Sequence, residues 1–104
     1  MATKPMRIRA SVKDGVTEVK ALVAHEMETG QRKDANGAVI PAWFITEITA
    51  THNGKVVLSG ELGTAVSKNP YLAFRFKGGA AGDKVAVSWK DNKGESRTDE
   101  VAIA

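Results

Sequence analysis

The 104-residue chain has no cysteine, which excludes a disulfide framework, a thiolate metal site and a thiol nucleophile from anything it does by itself. Aromatic residues make up only 6% of it, and none recurs at the spacing of a base-stacking surface. No apolar run precedes Arg7: Met1-Ala2-Thr3-Lys4-Pro5 is short and polar, so neither a signal peptide nor a spanning helix is expected, and the residues alone suggest the cytoplasm. The excess of one charge is small. Lys and Arg number 15 against 12 Asp and Glu, a net charge of +3. Along the chain the positives read as dispersed. Arg75 and Lys77 are close, but Arg32-Lys33-Asp34 and Arg97-Thr98-Asp99-Glu100 mix signs as solvated surface does. A nucleic-acid partner is not expected.

What the chain does have is alternation. Met6, Ile8, Ala10 and Val12 fall on one side of an extended segment and Arg7, Arg9 and Ser11 on the other, the pattern of a strand with one face on a core. The same pattern recurs in Val16–His25, where Val19, Ala21 and Val23 share a face, and in Leu72–Lys77, where Leu72, Phe74 and Phe76 do. Val85, Val87 and Trp89 line up within Lys84–Lys90, and Ser96–Ile103 closes a terminal hairpin. Asp14-Gly15, Asn53-Gly54, Ser67-Lys68-Asn69-Pro70 and Asp91-Asn92-Lys93-Gly94 supply turns, and Gly78–Gly82 reads as a flexible connection into Lys84–Lys90. No repeat, low-complexity block or helical period interrupts them. The expectation is one all-β domain over residues 1–104, an antiparallel sandwich of about seven strands with a marginal stability of roughly 5–15 kcal/mol.

The central hairpin, Ala42–His52 against Lys55–Leu62, poses a register problem. If Asn53-Gly54 is a two-residue loop, His52 pairs with Lys55 and both faces become half apolar. Either a bulge flips the parity and gathers Phe44, Ile48, Val56 and Leu58 into one core face, or something covers the second side. Under both readings Trp43 and Ile45 flank Phe44 and point away from the main core. With Met27 in the polar loop Met27–Ile40, they are the candidate apolar contact patch for a partner, unless that loop folds back over them. The same loop carries Asp34-Ala35-Asn36-Gly37, a turn or the tip of a short extra ribbon.

Candidate chemistry is sparse. His25 and His52, with Glu26 or Glu28, would have to converge to hold a metal, and nothing in their spacing requires it. Glu26 and Glu28 are two residues apart, as solvent-facing acids often are, and carry no signature of a general acid and base. Gly78-Gly79-Ala80-Ala81-Gly82 lacks the Lys and Ser or Thr of a phosphate loop, and no Gly-x-Ser-x-Gly turn is present. No catalytic residue, cofactor or metal is expected. The open alternatives are an interaction subunit, a stand-alone ligand-binding sandwich using Trp43, Trp89 or Tyr71 as a platform, and a hydrolase or metal enzyme built on the two histidines.

At His25-Glu26-Met27-Glu28-Thr29-Gly30-Gln31-Arg32-Lys33-Asp34, then Ile40-Pro41 and Asn53-Gly54, the chain resembles the SoxZ family. Ala65-Val66-Ser67-Lys68-Asn69-Pro70-Tyr71 and the Gly-rich link before Asp83-Lys84-Val85 extend the likeness over essentially the whole chain. The resemblance implies an immunoglobulin-like sandwich that is the non-catalytic half of the SoxYZ carrier of bacterial sulfur oxidation. It implies SoxY as partner, with the sulfur intermediate on a cysteine in that partner's Gly-Gly-Cys-Gly-Gly tail, and transient contacts with other Sox enzymes. It also implies a periplasmic location reached by co-export with SoxY. A cysteine-free chain agrees with that division of labour, because a sulfane adduct needs a thiolate to form on.

Overall fold

The computed structural model describes residues 3–63, 66 and 68–104. Seven strands follow in order: β1 Arg7–Lys13, β2 Val16–Leu22, β3 Ile45–His52, β4 Lys55–Glu61, β5 Tyr71–Lys77, β6 Lys84–Asp91 and β7 Ser96–Ala102. Each lies within a residue or so of an expected segment, except that β2 and β3 are shorter at the ends joined by the long loop. All pairings are antiparallel, β1-β2-β5 in one sheet and β4-β3-β6-β7 in the other. In the immunoglobulin constant arrangement the fourth strand pairs with the first sheet. Here it pairs with β3, so the sandwich has three strands on one side and four on the other.

The inward positions of both sheets meet in the core. Val19, Ala21 and Val23 face Ile45, Ala50, Val85 and Val87, all fully shielded from solvent. Burying each of the larger aliphatic side chains contributes about 1.5–3 kcal/mol. Leu72, Phe74 and Phe76 are half-buried and close the core from β5.

Two bulges settle the register that alternation leaves open. The β3–β4 loop is the two-residue Asn53-Gly54 turn, with φ of 48° and 85° as a type I′ hairpin requires, and His52 pairs with Lys55. The parity then changes between Ala50 and Thr51, where Val57 is the extra residue: Ala50 pairs with Leu58 and turns it toward the core, while Val56 opposite Thr51 faces out and is 57% exposed. Val56 therefore does not join the core face on which the bulged reading placed it. On its other edge, β3 shifts register against β6 between Ile45 and Glu47, pairing Ile45 with Asp91 and Ile48 with Trp89. The extra residue, Thr46, lets Ile45 and Ile48 face inward although they are three positions apart. Ile45, expected to point off the core, is 0% exposed.

Two connections are fixed by close packing. In the Gly-rich link, Gly79 has φ of 91° and lies so near Thr17 that a Cβ would overlap the Thr17 Oγ1, which donates to the Gly78 carbonyl at 2.8 Å. The link from β5 to β6 is thus packed against Thr17 and Ile103 and is not the flexible connection its glycines suggest. In the Ser67–Pro70 turn, Ser67, like Ala65 of the family-like stretch, is outside the described residues; Asn69 accepts from the His25 amide at 3.0 Å and donates its own amide to the His25 carbonyl at 2.9 Å.

Candidate functional site at the base of the long ribbon

The inward alternation of β2 does not stop where its ladder stops. After Val19, Ala21 and Val23 it continues through His25 and Met27, both buried. The chain then runs out as a ribbon: Glu28 and Trp43 exchange backbone hydrogen bonds at 2.6 and 2.9 Å, and Lys33 bridges to Val39. Its tip is the Asp34–Gly37 turn, where the Asp34 carboxylate accepts from the amides of Asn36 and Ala38. The Met27–Ile40 stretch is therefore the extra ribbon and not a formless loop.

The base of this ribbon is clamped by one buried carboxylate. Asp91 Oδ2 accepts from Trp43 Nε1 at 2.8 Å and from His25 Nε2 at 3.1 Å. Its Oδ1 accepts from the amides of Lys93 at 3.0 Å and Glu95 at 2.9 Å, closing the β6–β7 turn. Burial pushes the Asp91 carboxyl up, but the bonds from Trp43, His25 and the two amides together outweigh it and hold the group below the usual carboxylate range. The Met27 amide can only donate, and it points at His25 Nδ1 at 3.1 Å, so the ring is set as the Nε2–H tautomer. His25 also packs edge-on against Trp43 and Trp89, with ring centroids 5.1 Å away in each case. Met27 itself adopts φ of 51°, an uncommon conformation for a side chain of that size, and its sulfur accepts from the Ile45 amide at 3.4 Å.

The three candidate contact residues are thus brought together, but on different sides of the surface. Met27 and Ile45 lie in the core at 5% and 0% exposure. The loop does fold back over Ile45. Only Trp43 is half-exposed, with the Lys93 ammonium 4.3 Å from its ring centroid. Beside it opens a cleft of about 390 Å³, flanked by Lys4, Glu26, Lys68 and Trp89. The Trp89 indole N–H, buried nearby, has no hydrogen-bond partner among the described residues. Tyr71 does not line this cleft but lies with Arg7, Arg9 and Lys20 on the outer face of the other sheet, so the platform of Trp43, Trp89 and Tyr71 is not assembled.

Chemically, the His25–Asp91 pair looks like an acid–base dyad and is not one. A general base needs a lone pair facing a substrate, and both ring nitrogens of His25 are already committed inside the protein, with the two side chains 1% and 0% exposed. His52 is bound elsewhere, to Asp83 at 2.7 Å, and that hydrogen bond is the main cause that draws the Asp83 carboxyl below its ordinary range. Glu26 pairs with Lys68 and Glu28 with Arg32, so the two acids serve different cations. Among the described residues no group of three or more His, Asp or Glu side chains is placed to hold a metal ion. Among the described residues no helix is long and apolar enough to cross a membrane.

Asp91 is the residue that reading along the chain misses. Its place at the head of Asp-Asn-Lys-Gly suggests a turn residue whose carboxylate caps nearby amides, which it does; its second oxygen, turned inward, has no local signal. His25 was legible as an inward position, because it continues the period-two series of Val19, Ala21 and Val23.

Fold and site together define a seven-stranded immunoglobulin-type sandwich with one partly exposed indole, Trp43, set above a buried carboxylate whose bonds are all made inside the protein. A reduced mutant form of the superoxide reductase (neelaredoxin) from Archaeoglobus fulgidus is similar in architecture, with a TM-score of 0.58 and 20% identity over 95% of this chain and 88% of its own; at that identity the likeness shows the fold alone. No curated protein matches the chain. The family model of the sulphur oxidation protein SoxZ matches residues 6–102, and the chain belongs to that family. Its role lies in the sulfur oxidation system.

Proposed function

We propose that the chain is the non-catalytic subunit of a two-subunit sulfur carrier, binding a SoxY-type partner whose C-terminal Gly-Gly-Cys-Gly-Gly arm holds the sulfur intermediate as a covalent adduct. The observation that carries this reading is the family match over residues 6–102. Two features support it. The chain has no cysteine on which a sulfane adduct can form. The buried catalytic-looking pair, His25 with Asp91, is consumed by structural bonds. In this reading the subunit is a rigid base for a mobile arm, visited in turn by the other enzymes of the system, and it resides in the periplasm after export together with its partner.

Trp43 is the residue we place at the contact, since it is the half-exposed aromatic held from below by Asp91. Met27 and Ile45 are buried in the core and joined to each other through the Met27 sulfur. Ile45→Asp therefore tests the fold and not the interface, because it would bury a carboxylate. The direct experiment is co-expression with a subunit ending in Gly-Gly-Cys-Gly-Gly and affinity capture through this chain. Equimolar recovery is expected, with Trp43→Ala recovering less at an intact far-ultraviolet spectrum. Capture of no partner by the wild-type chain would refute the assignment, and undiminished capture by Trp43→Ala would move the contact elsewhere. Cell fractionation with the partner present, and again with its leader removed, tests the location.

A further inference from the structure

Strand pairing gathers charges that are dispersed along the chain. On the outer face of the β1-β2-β5 sheet, Arg9 stands directly opposite Lys20, Lys13 and Lys77 flank Val16, and Arg75 meets Glu18. With Arg7, the strands of that face present six of the 15 basic side chains and one of the 12 acidic ones, with Asp14 of the β1–β2 turn at its edge, leaving nine basic against eleven acidic everywhere else. The reading of the positives as scattered surface is corrected by this arrangement. Arg75 and Lys20 hold the single carboxylate at 3.0 and 3.5 Å, while Arg7, Arg9, Lys13 and Lys77 have no carboxylate partner among the described residues. Like charges directly opposed across strands oppose folding, so stability is not what the cluster serves.

We propose that this face docks an acidic patch of another protein in a short-lived, charge-driven complex. Beside Arg7 the exposed Leu22 and Tyr71 pair across the sheet, at 40% and 63% exposure, and Tyr with Arg is the composition of protein contact centres. A nucleic-acid track fits less well, because Glu18 sits in the middle of the face and Tyr71 is its one aromatic. A small anion fits less well too, since the cations are spread over the sheet and do not converge. Three seven-residue strands cover roughly 300 Å², well short of the about 800 Å² per partner in a lasting complex. Encounter rate and salt-sensitive affinity are what such a face supplies. The surface uses none of the residues around Trp43 and stands independently of docking there.

The test is titration of the full chain with a labelled Glu/Asp-rich peptide of about twelve residues, followed by fluorescence anisotropy, with a DNA duplex and phosphatidylglycerol vesicles in parallel. The peptide is expected to bind saturably at about 20 mM salt and to lose at least about tenfold in affinity near 150 mM. Arg9→Glu with Lys20→Glu should give a similar loss at low salt, and Arg7→Gln with Lys77→Gln a smaller one. Lys84→Glu with Lys90→Glu, the same change in net charge on the other sheet, should leave binding unchanged. Absence of peptide binding, equal losses in the two charge-reversed variants, or tighter binding to DNA or vesicles than to the peptide would overturn the proposal.

Discussion

Two regions of the molecule treat charge in opposite ways. At the ribbon base, the Asp91 carboxylate is withdrawn from water and every bond it can accept is made within the protein. On the outer face of β1-β2-β5, four cations are left without a carboxylate among the described residues, and two basic side chains face each other directly. The difference teaches how to read polar groups by whether their bonds are completed inside the fold. Saturated groups hold the fold, and removing them costs stability; unsaturated exposed ones add little or nothing to it and are available to something outside it.

The largest effect should come from breaking the saturated region. Asp91→Ala strands the Trp43 indole, the His25 ring and two amides at once, and is expected to cost about 3–5 kcal/mol, read as a fall in the midpoint of thermal unfolding. A loss below about 1 kcal/mol would mean that the network is incidental. The same carboxylate sets a pH dependence. Its folded pKa is depressed, so its contribution is complete above the ordinary carboxylate range near pH 4 and is lost as pH falls through the folded value. The gap in melting temperature between wild type and Asp91→Asn should therefore narrow on acidification from about pH 6 to about pH 2. Asp83 and Asp99, also held low by His52 and Arg97, keep part of the acid limb in both proteins.

Trp43→Ala comes next, since it removes one indole bond and a half-exposed ring but leaves the His25–Asp91 bond in place. About 1–2 kcal/mol is expected, measured by urea unfolding. The smallest effect should come from the other region. Arg9→Glu with Lys20→Glu is expected to change stability by no more than about 0.5 kcal/mol. A large loss there would show that the basic face supports the fold after all.

Much of the fold was legible because its strands alternate cleanly. Val19-Ala21-Val23 and Val85-Val87-Trp89 are inward in the sequence pattern and inward in the structure. The errors arise where one residue changes parity. Thr46 is the extra residue that turns Ile45 inward, and Val57 the one that turns Val56 out; both are ordinary strand formers with no mark of a bulge. The ribbon base was legible in part, since His25 falls on the inward series, but its partner lies 66 positions away in a turn-forming tetrapeptide. The basic face was hidden for a related reason. Each strand shows its outward cations, yet only the β1-β2-β5 order sets Arg75 and Lys77 beside Glu18 and Val16.

The proposed contrast, a base for a lasting partner and a face for passing ones, is tested by one titration. Calorimetry of this chain against a SoxY-type subunit should give equimolar saturation, weakened at least about tenfold by Trp43→Ala and unchanged by Arg9→Glu with Lys20→Glu. Wild-type chain that fails to bind the subunit, or binding lost with the two surface charges and kept without Trp43, would contradict the account.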